Sequence, residues 1–280
     1  MNSSILLSVT TWAYGLAAFL YIMALVFKAT GPGKLATWIA LLGLVGNTSG
    51  IAMRWVESYD MGIGHAPLSN LYESLVFFAW VIILIYLLIE RRYRTRIIGV
   101  FVTPLAFLAM AYASFSPGVS SRIQPLLPAL KSNWLIAHVF ACFIGYAAFA
   151  IAFGISIMYL MKRRKQGDKE GFLAKFPKLD DLDDLNHRMT LFGFLFLSAG
   201  IITGAVWANS AWGRYWGWDP KETWSLITWF IYATLLHARL MHGWHGKRIA
   251  YLSMIGFAAV LFTYFGVNLL PGLHSYGSMQ

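Results

Sequence analysis

The sequence predicts an all-α, polytopic membrane bundle of about eight transmembrane helices, with both termini extracytoplasmic. Three observations predict it. Of 280 residues 58% are hydrophobic and only 12% charged, about half the roughly 25% charge of a soluble domain. That charge sits in short clusters between long apolar runs. The basic residues are also spread unequally over the alternating connections.

The runs lie near 5–27, 35–53, 71–89, 97–113, 134–161, 189–208, 222–242 and 249–270, and a helical span needs about 20 apolar residues. A barrel would show segments of roughly ten residues with period-two alternation, which are absent. In hydrocarbon each backbone N–H and C=O must be satisfied within its own segment, so runs this long read as helices. The fourth run is short and reads as a tilted or partly buried span. Residues 1–27 lack a basic n-region and a small-residue cleavage site, and their apolar stretch outruns an h-region. The first run is therefore expected to be a retained span.

Orientation follows from Lys and Arg. The connections around Lys28/Lys34, Arg91–Arg96, Lys162–Arg188 and Arg239–Arg248 hold 17 of the 22 basic residues. Arg54, Arg122, Lys131, Arg214 and Lys221 make up the other 5. The first set is cytoplasmic or its organellar equivalent. The inner side then carries the whole net charge of +10, and the outer side is neutral. The basic balance is a topology signal and calls for no nucleic-acid partner.

The chain reads as one domain over 1–280. No repeat stands out. The longest inner connection, 162–188, reads as a solvated cytoplasmic loop with a short amphipathic segment. The single cysteine, Cys142, lies inside the fifth run. One cysteine forms no internal disulfide and no CxxC pair, so two-cysteine thiol exchange is excluded and Cys142 reads as a packing residue.

The outer connections carry the chemistry. Residues 54–70, 114–133 and 209–221, with the tail 271–280, hold more turn and polar residues than simple hairpins need. The strongest pattern is WGRYWGWDPKETW, residues 212–224, with four tryptophans and a tyrosine. Membrane interfaces favour Trp and Tyr, but an aromatic belt needs neither the interleaved Gly213 and Gly217 nor an Asp-Pro turn. Gly permits close backbone approach, and indole faces stack on flat rings. Trp212, Trp216, Trp218 and Trp224 are therefore expected to form a platform for a planar apolar ligand. Arg214 is the first candidate to hold a ligand carboxylate, since its guanidinium binds one bidentately. Arg54, Arg122, Lys131 and Lys221 are further outer cations. Asp219 and Glu222 are expected to order the loop.

This string resembles the tryptophan-rich WWD signature of the haem-handling proteins of cytochrome c maturation. The span plan resembles their CcsA/ResC type, part of the system II cytochrome c synthase, and the resemblance covers nearly the whole chain. It implies haem b as the bound group. It implies that His138 and His274, at the outer ends of the fifth and last runs, are the axial ligands of the haem iron. It implies that His237, inside the seventh run, belongs to a second, intramembrane haem site completed by a partner. His65 is expected to line or brace the outer site. The implied partners are a ResB/Ccs1-type membrane protein and an apocytochrome c presenting Cys-x-x-Cys-His. The implied activity is cytochrome c haem lyase, with no catalytic residue beyond those that position haem. The implied location is a bacterial plasma membrane or a thylakoid. Two other functions fit the same residues: a haem exporter or chaperone without attachment activity, and a b-type electron-transfer cytochrome.

Overall fold

The computed structural model describes residues 2–164 and 172–270. Among these residues the regular structure is helical. Eight α-helices follow the eight runs: α1 Ser3–Val26, α2 Thr30–Asp60, α3 Leu71–Tyr93, α4 Gly99–Phe115, α5 Asn133–Arg164, α6 Leu179–Trp212, α7 Pro220–His242 and α8 Lys247–Tyr264. Five of them (α1, α2, α3, α5 and α6) are long and apolar enough to cross a membrane by length and composition alone. The fourth is 17 residues long and contains Pro104, in keeping with its short run.

The helix starts are chemically marked. Asn2 and Asn70 cap α1 and α3 by accepting the N–H groups of Ile5 and Glu73. Such a cap satisfies an amide that the helix itself leaves without a partner. The inner connection 162–188 is shorter than its composition suggests, because α6 begins at Leu179. Asp180 and Asp181 lie in its first turn, where negative charge meets the positive end of the helix dipole. At 34 residues α6 is about 51 Å long, well beyond the roughly 30 Å hydrocarbon core.

The helices form two compact units. The first comprises residues 1–127 and 164–177 and holds α1–α4; the second comprises 128–163 and 178–280 and holds α5–α8. In the first unit a buried ion pair braces the outer end. Arg54 Nε lies 2.8 Å from Glu73 Oε1, both side chains almost wholly buried. The same guanidinium donates to the carbonyls of Ser121 and Arg122 at 2.8 and 3.3 Å, which ties residues 116–127 to α2 and α3. At the other end, buried Glu90 accepts hydrogen bonds from Tyr21, Tyr86 and Thr37 and pairs with Arg96.

The second unit is built on close backbone approach between α5 and α6. A Cβ added at Gly193 would meet Phe149 at 2.6 Å, and one at Gly145 would meet the Gly193 carbonyl at 3.0 Å. Small residues on facing surfaces are how membrane helices gain packing without a hydrophobic drive. Asn186 on α6 donates to Ala152 O and Ser156 Oγ of α5 at 2.9 and 2.7 Å. At the inner end, buried Arg239 of α7 pairs with Asp183 and Asp184 of α6, and Asp183 also accepts the Gly246 N–H at 2.7 Å. Part of the acidic run read as solvated thus clamps α6, α7 and the α7–α8 turn together.

Candidate functional site

The Trp-rich connection between α6 and α7 is an ordered turn. Gly213 ends α6 with φ +74°, and its N–H donates to the Asn209 carbonyl; that left-handed cap is the conformation glycine adopts without penalty. Asp219 and Glu222 then form a capping box at the start of α7, with Pro220 in the first turn. The Asp219 carboxylate accepts the Lys221 N–H at 3.1 Å. One Glu222 oxygen accepts the N–H groups of Gly217 and Asp219 at 2.7 and 3.1 Å. Both acids order the loop, as expected from their positions. The glycines, read from sequence as places for a flat ligand to approach, serve the loop itself. Gly213 is the cap, and a Cβ at Gly217 would strike the Arg214 guanidinium at 2.6 Å. Trp218 has φ +56°, a left-handed backbone rare for a bulky residue, and its side chain is 69% exposed. Such strain persists only where the surroundings over-determine it. The capping box on its C-terminal side supplies that constraint.

Beneath this turn lies a cavity of about 150 Å³ lined by His138, Trp207, Tyr215, Trp216, Lys221 and Tyr264, among others. Clefts that enclose a whole drug-sized ligand run to roughly 300–1,000 Å³, so this one is too small to enclose such a ligand whole. Lys221 opens α7 just ahead of the seventh apolar run.

His138 sits half-buried on the second turn of α5. Its Nδ1 lies 2.7 Å from the Gly200 carbonyl of α6. A carbonyl only accepts, so Nδ1 carries the hydrogen in this contact. The ring lies nearly parallel to the Trp207 indole, with centroids 5.9 Å apart and planes 16° apart. Trp207 is itself fixed, its Nε1 donating to the Ala129 carbonyl at 2.8 Å.

Of the residues singled out from sequence, His138 and Trp216 line the cavity together. Trp212 packs edge-on against Trp207, and Trp218 against Trp216. Trp224 faces α8, its ring 4.2 Å from that of Phe262. Arg214 is exposed over Gly217. His274 lies outside the described residues. His237 is exposed on α7, on a face with Phe230, Thr234 and Met241, and its ring is 5.6 Å from that of His242. His65 belongs to the first unit, where it is buried. Its Nδ1 and Nε2 lie 2.9 and 3.0 Å from the carbonyls of Ala66 and Gln124, so it braces residues 116–127. Arg54, named as an outer cation, is committed to Glu73. Sequence reading missed Gly200, Gly204 and Trp207. The signal for the glycines was present: Gly193, Gly200 and Gly204, spaced by seven and four, share one helix face.

Fold and site together define a polytopic helical membrane protein with a rigid aromatic turn and a histidine at one end of a helix unit. Residues 68–274 match the profile of the cytochrome C assembly protein family, and the chain belongs to that family. It is similar to the cytochrome c biogenesis protein CcsA of Synechococcus sp. (strain CC9605), 40% identical over 94% of each chain. The CcsA of Chlamydomonas reinhardtii is 45% identical over 81% of this chain and 64% of that one. Among solved structures, the cytochrome c heme lyase CcmF superposes with a TM-score of 0.67 at 18% identity, over 98% of this chain and 48% of that one; this likeness is one of fold. The protein is thus a CcsA-type membrane protein of cytochrome c biogenesis, suited to a plasma or thylakoid membrane.

Proposed function

We propose that this chain holds haem b on the extracytoplasmic side and presents it for thioether attachment to apocytochrome c, acting with a ResB/Ccs1-type partner. One observation carries the reading. His138 and Trp216 are 78 positions apart in sequence, yet they line one cavity under the Trp-rich turn. An imidazole stacked on one indole, with further indoles packed edge-on around it, is a donor set suited to haem iron and its flat macrocycle.

The haem is substrate here, and its edge enters the cavity. His138 supplies one axial nitrogen. His274 supplies the other, a role that rests on the family resemblance. Two axial ligands keep other donors off the iron. Arg214 is the cation closest in sequence to the indoles and meets a propionate. His237 faces out of the second unit, which suits an inner ligand pair completed by the partner. An apocytochrome then brings its Cys-x-x-Cys-His. Its thiol S–H groups add across the two vinyl groups, so hydrogen and sulfur both end on the former double bond and no further reagent is needed. Positioning of reactants supplies on the order of 7–11 kcal/mol in favourable cases.

The test is spectroscopic and functional. Purified protein should show a low-spin haem spectrum that His138→Gly abolishes and added imidazole restores. Co-expression with the partner and an apocytochrome should yield covalently bound haem. Haem bound without covalent product would favour an exporter or chaperone. A spectrum indifferent to His138→Gly removes the ligand assignment.

A further inference from the structure

We infer that α6 carries a dedicated seat for His138, in which the Gly200 carbonyl fixes the imidazole tautomer and Gly204 makes the room for its ring, so that Nε2 is the nitrogen offered to iron. The inference deepens the haem reading above and rests on His138 being the ligand.

The geometry is specific. Gly200 and Gly204 are four apart and so neighbours on one face of α6. The Gly200 carbonyl is 2.7 Å from Nδ1 of His138. A Cβ added at Gly204 would lie 2.6 Å from that same Nδ1 and 2.7 Å from Cε1. Contacts under 3 Å cannot stand, and the imidazole is a stiff ring rather than the end of a flexible chain. At Gly200 an added Cβ would strike Cys142, one turn along α5 from His138. Trp207, three residues beyond Gly204, forms the next wall and is pinned by Ala129. The ring is therefore held on three sides by α6. With Nδ1–H committed to a carbonyl, the lone pair must be on Nε2. Iron-ligating histidines are oriented by a hydrogen bond of this kind, and removing the orienting partner typically weakens metal binding ten- to a hundredfold.

Gly200 and Gly204 are positioning residues in this scheme, since they reach haem only through His138. Two measurements test it. The first is nitrogen NMR of the haem-free, histidine-labelled protein, with the His138 signal assigned by its loss in His138→Gly. The expected state is neutral imidazole protonated at Nδ1; protonation at Nε2 overturns the proposal. This measurement needs no glycine variant to fold. The second is Gly204→Ala, which should retain haem about ten- to a hundredfold more weakly than the natural protein. Added imidazole should restore its low-spin spectrum, as it does for His138→Gly. An unchanged spectrum in Gly204→Ala beside a lost one in His138→Gly overturns the seat and spares the ligand. A loss that imidazole does not mend, in protein of normal abundance, also overturns it. Indifference of the spectrum to both variants removes His138 as a haem ligand, and with it the seat's part in haem binding, while the tautomer result still stands for the apo geometry.

Discussion

Glu222 shows how much one side chain decides in the Trp-rich turn. One of its two carboxylate oxygens holds two backbone amides, those of Gly217 and Asp219. Charged acceptors make the stronger hydrogen bonds, each worth about 1.5–3 kcal/mol. Glu222→Gln should therefore loosen the turn by roughly that amount, while Asp219→Ala removes an N-cap worth about 1 kcal/mol. Limited proteolysis between residues 213 and 219 in detergent measures both, and the Glu222 variant should be cut faster. Cutting of both variants no faster than that of the natural protein would show that the capping box does not hold the turn. His65 was expected from sequence to line or brace the outer site, and the structure sets its ring against the Gln124 carbonyl. Both ring nitrogens face carbonyls, those of Ala66 and Gln124, and a neutral imidazole can donate to only one of them.

At the level of helices, one buried ion pair holds each unit at one end, Arg54–Glu73 in the first and Arg239–Asp183 in the second. Removing one partner leaves an uncompensated buried charge and costs about 3–5 kcal/mol. Arg54→Gln should destabilise α2, α3 and the segment 116–127 by that order, and Arg239→Gln should do the same for α6–α8. Thermal unfolding in detergent measures each. A double replacement of Arg54 and Glu73 by apolar residues of similar volume should recover most of the loss, because no lone charge remains. The α5–α6 contact is subject to the same logic through sterics. Gly193→Leu should separate the two helices, since Phe149 already fills the space beside Gly193. The periodic glycines made this contact readable in principle. Which helix they face is a tertiary fact, because periodicity marks a face and never names its neighbour.

For the molecule as a whole, charge asymmetry gives the strongest expectation. In a Cys142→Ala background, Ser120→Cys should react with a membrane-impermeant maleimide from outside, and Asp181→Cys only after permeabilisation. Both positions are exposed, so reversed labelling would invert the topology and move His138 to the inner face. The eight helices themselves were legible because bilayer thickness sets their length and backbone desolvation forbids other structure. The Trp-rich signature was legible because belt chemistry does not account for its glycines and Asp-Pro turn.

The sequence alone therefore determined the number of apolar spans, the charge asymmetry that sets their expected orientation, the aromatic loop and the histidines worth testing. These depend on local composition and on a solvent that treats every residue by its polarity. The structure decided which of those residues meet. It put His138 and Trp216 around one cavity, sent Trp224 to α8, spent Arg54 on Glu73 and gave the ring of His138 a glycine floor. Such pairings arise from packing between segments far apart in the chain. Packing depends on shape and excluded volume, and a one-dimensional pattern of hydrophobicity and charge carries neither.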